Sequence, residues 1–334
     1  MPWRQEKHNI GNLSILFSKK ARFDRIARDI IHMNNNKRIG IIGLDAMHAV
    51  ALTTAINSEK GGDYLGYKVT HAYPQGSKDL EYRKKNIPKY TTAVTEMGVQ
   101  IVDSIEKLLQ EVDQVILTSN DGHVHFEQAL PVIQAGKPLF IDKPLAGTLE
   151  DAMAIYKAAE EYNTPVFSSS SLRFISKIKE LQTAKEAEII GAHTFSSASF
   201  EPSLPELLWY AIHGIEMLFS VMGSGCVQVQ RIATDDYDLL TALWADGRVG
   251  TYRGIRKGKT AFGGTAFSAQ GPVDLGGFEG YEPLALAIVE FFDTKIPPVT
   301  LKETLEIFAF IFAAEESKKQ GGVPVKIDIS EKSI

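Results

Sequence analysis

The sequence predicts an α/β protein with a doubly wound parallel sheet toward the N-terminus. A second α/β part with an open, mainly antiparallel sheet follows. Two observations carry this. From residue 37 to about 168, short apolar runs alternate with helical patterns. Such βαβ units have right-handed crossovers and build a parallel sheet covered on both faces. From about residue 187, strand patterns follow one another with few helices between them, which favours antiparallel pairing. The 334-residue length fits about two domains. The expected divisions are an N-terminal extension at 1–36, a parallel half at 37–167 and a C-terminal half at 168–334.

In chain order, residues 37–43 (KRIGIIG) suit a buried parallel strand. Residues 46–58 read as a helix, with Met47, Val50, Ala51, Thr54 and Ala55 near one face, ended by Gly61 and Gly62. Residues 67–73 are a second strand, and polar residues 74–90 a loop with a short helix. Residues 98–102 are a third strand, and Ser104 caps a helix running to Glu111. A fourth strand at 113–119 leads to a helix at 123–135 that Gly136 ends. Within that helix, His125 reads as part of the polar face. The fifth strand is 139–142. Thr148 caps the helix 149–162, with Asp151 in the capping-box position, and 166–168 is the sixth strand. In the second half, 187–200, 227–234, 239–244, 250–256 and 262–268 read as strands. Residues 204–221, 284–293 and 302–320 read as helices, and 323–329 as a last strand.

Composition narrows the function. With 36 Lys+Arg against 41 Asp+Glu, the net charge is −5. Residues 1–38 alone carry +6, so the remainder carries −11, which argues against nucleic acid as a partner. No apolar run is long enough to span a membrane, and residues 1–32 lack the apolar core of a secretory signal. Three readings stand for that segment: a disordered tail, a targeting or partner helix over 17–31, or an artefact of start assignment. One cysteine, Cys226, can form no internal disulfide and fits a reducing, cytoplasmic location. No His/Asp/Glu spacing argues for a metal.

A doubly wound sheet binds ligands beyond the carboxyl ends of its strands, near the point where strand order reverses. The segments there are 43–48, 73–78, 119–123 and 142–144. Lys143 puts an amine at that edge, where desolvation or a nearby cation can tune it for proton transfer. His213 offers an imidazole, the natural base near neutral pH, with Gly214 and Ala211 leaving room for a ligand. Glu216, three residues on, shares its helix face.

Four segments together resemble the Gfo/Idh/MocA family of nicotinamide-dependent sugar oxidoreductases. They are KRIGIIG with the turn GLDAMH, SNDGHVHFEQALPVIQAGKPLFIDKPLAG (119–147), WYAIHGIE (209–216) and LKETLEIFAFIFAAEESKKQGG (301–322). The resemblance runs from about residue 37 to the C-terminus and implies an N-terminal Rossmann domain. It also implies hydride transfer between NAD(P) and a sugar or cyclitol. Lys143 and His213 then handle the proton, while Ser119, Asn120, His123 and Asp142 lie by the cofactor. Arg173 either clamps an anionic ligand or pairs with a structural carboxylate. Independently of the resemblance, strand alternation puts Tyr252 on the face opposite Arg253, as a substrate contact or an interface residue. Where the family often has an Asp four residues before its histidine, this chain has Trp209, which can stack on a sugar but relays no proton.

The nucleotide turn departs further. A dinucleotide fingerprint places glycine at three positions. The aligned residues are Gly43, Leu44, Asp45, Ala46, Met47 and His48, so only the first glycine remains. A carboxylate at the second position repels a pyrophosphate, unless Asp45 turns away to cap the helix. At the tip of the second strand stand Ser77 and Lys78 and no acid, which leans toward NADP because a lysine can neutralise a 2′-phosphate. Lys78 reads equally as a solvated loop lysine. The competing function is a non-redox carbohydrate-binding or regulatory protein that has lost the dinucleotide site. An open sheet with one uncovered face further implies a homodimer or homotetramer.

Overall fold

The computed structural model describes residues 37–58, 64–77, 84–184 and 188–327. The N-terminal extension, Lys78 and the end of the last expected strand lie outside these residues.

Six parallel strands form the first sheet: β1 (Arg38–Ile42), β2 (Lys68–Tyr73), β3 (Gln100–Ile101), β4 (Gln114–Leu117), β5 (Leu139–Asp142) and β6 (Val166–Ser169). Their order is β3-β2-β1-β4-β5-β6, so the reversal falls between β1 and β4. Every residue of β4, β5 and β6 is buried, as apolar runs covered on both faces require. Around the sheet pack α1 (Met47–Asn57), α2 (Ile87–Glu96), α3 (Ile105–Glu111), α4 (His125–Gln134) and α5 (Leu149–Glu161). Ser104 and Thr148 cap α3 and α5 as expected, accepting from the N–H groups of Lys107 and Asp151.

The second sheet has the order β12-β11-β7-β10-β9-β8-β13. Its strands are β7 (Ile189–Ser197), β8 (Cys226–Ala233), β9 (Tyr237–Trp244), β10 (Val249–Ile255), β11 (Gly263–Ser268), β12 (Gly271–Asp274) and β13 (Val325–Lys326). All neighbours are antiparallel except β7 and β10. One face is covered by α8 (Ala211–Met222) and α10 (Leu301–Lys319). Along β10, Tyr252 points into that core while Arg253 points to the exposed face, as strand alternation requires. The helix α9 (Glu282–Thr294) instead returns to the first sheet: Leu284, Ile288, Phe291 and Phe292 join one apolar cluster with Ile39, Ile41, Leu52 and Phe167.

Several elements differ from the sequence reading. The third strand shrinks to two residues at the sheet edge, both exposed, and α2 extends through residues that the pattern left open. The expected helix 204–221 breaks at Tyr210 into α7 (Glu206–Trp209) and α8, which turns Trp209 and Tyr210 toward the first sheet. The helix α6 (Ser176–Thr183) and β12 were not anticipated. Only Ile178 of α6 is buried, so its sequence carries little apolar periodicity.

Candidate active site

The carboxyl ends of β1, β4 and β5 open into a cleft of about 370 Å³. It is lined from the parallel half by Ala46, Met47, His48, Asn120 and Lys143, and from the C-terminal half by Trp209, Tyr210, His213, Phe262 and Tyr281. The volume suits a small ligand. The fold thus brings together Lys143 from the end of β5 with Trp209 and His213 from α7 and α8.

Lys143 Nζ donates to the Trp209 carbonyl (3.3 Å) and sits over the Trp209 and Tyr210 rings, 5.5 and 5.9 Å from their centroids. These contacts hold the amine against the aromatic wall of the cleft. His213 Nδ1 lies 2.7 Å from Ser170 Oγ, just after β6. Its imidazole is held well below the usual histidine range, chiefly by burial and further by the charges of Lys143 and His48. His213 is therefore neutral at physiological pH. When its Nδ1 carries the proton to Ser170, the other ring nitrogen is the acceptor.

Ser170 links Glu216 to His213. The Glu216 carboxylate accepts from Ser170 N (3.0 Å) and Ser169 Oγ (3.3 Å), and it does not line the cleft. Burial raises its carboxyl to about 7, against the opposing pull of Arg173. Of the two roles open to Arg173, the structure has the structural pair: the buried guanidinium bonds Glu303 and donates to the Glu216 carbonyl (3.2 Å). Tyr252 lies away from the cleft. It is fully buried, bonds Ser196 through its hydroxyl (2.8 Å), and fills the space that Gly214 leaves, which was expected to hold a ligand. Glu206, at the start of α7, pairs with Arg231 and Lys318 and does not line the cleft.

The turn after β1 keeps Gly43 at φ +87, and a Cβ there would strike the Ser119 backbone at 2.6 Å. The Gly43 and Leu44 amides are spent on the Tyr73 and Pro74 carbonyls. Asp45 is wholly buried, and its carboxylate accepts from Ser77 N (3.0 Å), Ser77 Oγ and Asn120 N (3.2 Å). It packs directly on Gly76, where an added Cβ would lie 2.2 Å from Oδ1. Asp45 therefore does not cap α1; Ala46 holds that position without a side-chain bond. His48 Nδ1 lies 2.5 Å from Asp142 Oδ2, and its ring stands 5.0 Å from that of Tyr281. Burial opposes ionisation of Asp142, but His48 beside it brings the carboxyl below its ordinary value.

A dinucleotide fits part of this arrangement. The uncapped first turn of α1 faces the cleft, as a pyrophosphate requires. The space between Ser77 and Asn120 does not fit as it stands, because the Asp45 carboxylate fills it.

Ser119 bonds Gln128 (2.6 Å), and His123 folds back on Asp121 (2.9 Å), so neither lines the cleft. His125 corrects the polar-face reading. It is fully buried and ties the Ser119 carbonyl (2.7 Å) to that of Pro144 (2.9 Å), fixing the loops after β4 and β5 against each other. Sequence reasoning missed Tyr210, Phe262, Phe278 and Tyr281 in the cleft wall. The glycine-rich aromatic stretch at 276–281 was the available signal for the last two. No cluster of potential metal ligands and no helix long and apolar enough to cross a membrane occurs among the described residues.

Comparison with known proteins agrees with this architecture. Residues 37–170 match the family model for an oxidoreductase family with an NAD-binding Rossmann fold, GFO_IDH_MocA. A 1,5-anhydro-D-fructose reductase of Ensifer adhaerens is 34% identical over 116 residues, 33% of this chain and 35% of that protein. An inositol 2-dehydrogenase of Acidiphilium cryptum is 28% identical over 174 residues, 51% and 47% of the two chains. The chain thus spans half or less of the length of these relatives. In three dimensions it resembles GenD2 from gentamicin A biosynthesis, solved with NAD (TM-score 0.71, 15% identity, 88% and 97% of the chains). It also resembles scyllo-inositol dehydrogenase from Lactobacillus casei, solved with NAD(H) and scyllo-inositol (TM-score 0.69, 15% identity, 87% and 99%). Residues 37–170 thus match an NAD-binding Rossmann-fold oxidoreductase family, and the described residues share the overall fold of these solved structures.

Proposed function

We propose that this chain is an NAD(P)-dependent oxidoreductase acting on a sugar, sugar derivative or cyclitol. The observation that carries the reading is the convergence of Lys143, neutral His213 and the Trp209 face in one cleft at the ligand edge of the Rossmann sheet. The family match and the names of the relatives support it. A bound nicotinamide supplies the hydride acceptor; the chain's own side chains do the rest. Trp209 and Tyr210 offer apolar faces to a sugar ring. The Lys143 ammonium donates to the reacting oxygen and stabilises it as it loses its proton. His213 receives that proton, and Ser170 fixes its ring. Asn120 and the first turn of α1 form the cofactor side of the cleft, with Asp142 holding His48 in place.

One observation favours a second reading. The Asp45 carboxylate fills part of the nucleotide cradle, as it would in a carbohydrate-binding or regulatory protein without hydride transfer. Fluorescence titration with NADH and NADPH separates the two. Saturable binding supports the oxidoreductase. Sugar binding with no nicotinamide binding at millimolar concentration supports the alternative.

A further inference from the structure

We propose that Asp45 is a built-in anion occupying a phosphate subsite at the β2 tip, and that it turns this chain against dinucleotides carrying a 2′-phosphate. The inference rests on the oxidoreductase reading and specifies its cofactor. It runs opposite to the NADP lean drawn from Ser77 and Lys78.

The β2 tip is where a Rossmann site reads the ribose 2′ position. A backbone N–H and a serine hydroxyl there, with an N–H from the loop after β4, form a donor set suited to an anion. In this chain all three donors are already engaged by one internal carboxylate. That carboxylate is fully buried and pressed against Gly76, so no second anion shares the space. A 2′-phosphate entering here must displace Asp45 from its donors and then remain beside its charge. A 2′-hydroxyl meets the first cost without the second. Residue 45 and the 2′-phosphate are therefore energetically coupled. For unit charges about 4 Å apart, the repulsion corresponds to roughly fivefold in affinity at the dielectric of water and to several hundredfold at that of a protein surface.

Calorimetric titration of NADH and NADPH into the full chain and into Asp45→Gly and Asp45→Asn measures that coupling. The native protein is expected to bind NADH more tightly than NADPH. Asp45→Gly should improve NADPH binding about tenfold more than it improves NADH binding. Asp45→Asn keeps the shape, removes the charge, and should move the preference the same way by a smaller factor. Thermal unfolding identifies a misfolded glycine variant, in which case the asparagine variant decides. Equal gains for both nucleotides, or a native preference for NADPH, overturn the inference and leave the oxidoreductase reading intact. Binding gained only by the variants upholds the role of Asp45 and counts against redox use by the native chain. No binding to any of the three proteins removes both.

Discussion

Replacing Glu216 with glutamine should change how stability depends on pH. The carboxyl is buried, and burial raises it from the ordinary 4.5 to about 7. Because the folded value lies above the unfolded one, the folded state holds the proton more tightly. The resulting stabilisation is fully present below about pH 4.5 and is lost as pH rises through about 7. At 1.36 kcal/mol per pH unit, the span amounts to about 3 kcal/mol. Glutamine keeps the shape and cannot ionise, while Arg173 retains its partner Glu303. His213 works in the opposite sense. Its folded value lies below the unfolded one, so the unfolded state takes up a proton and the folded state loses stability as pH falls below about 6.5, alike in both proteins. Urea midpoints of native protein and Glu216→Gln from pH 5 to pH 8 isolate the glutamate. The variant should gain on the native protein by about 2–3 kcal/mol across that range. Parallel curves would refute the placement of an ionisable Glu216 in a dry pocket.

Other perturbations address the cleft and the sheet. Lys143→Met and His213→Asn should each lower kcat by about 10²–10⁴-fold while nucleotide affinity is kept, read by steady-state kinetics and fluorescence titration. Trp209→Ala should weaken sugar binding about tenfold by calorimetry, and Trp209→Phe should restore most of it. On the uncovered face of the second sheet, Phe267, Val249 and Leu243 fall in one row through pairings at Gly191 and Val249, and each is 39–46% exposed. A homo-oligomer formed through this face should appear in light scattering and dissociate in Val249→Asp. A native monomer would contradict that arrangement.

The parallel half was legible because its strands are short apolar runs bounded by glycine and capping residues, and burial on both faces leaves little else for such runs to be. The two-residue β3 was overextended because an exposed edge strand carries no such signal. Lys143 was found from its strand-end position, His213 from residue type and Trp209 from the family resemblance, and the fold places all three in one cleft. Side-chain direction was not legible. Whether Asp45 capped α1 or reached toward Ser77 depended on contacts between loops far apart in sequence. The same holds for Tyr252, whose strand phase was right but whose face is core. His125 looked like a surface residue because the carbonyls that hold it belong to loops after two other strands.

The most direct test is an absorbance assay at 340 nm on dialysed protein. It uses NAD⁺ or NADP⁺ with a panel of polyols that includes inositols and 1,5-anhydro sugars. Reduction of nicotinamide by at least one of them, faster with NAD⁺ and lost in Lys143→Met and His213→Asn, is expected. Sugar binding without any nicotinamide reduction or oxidation would contradict the oxidoreductase assignment.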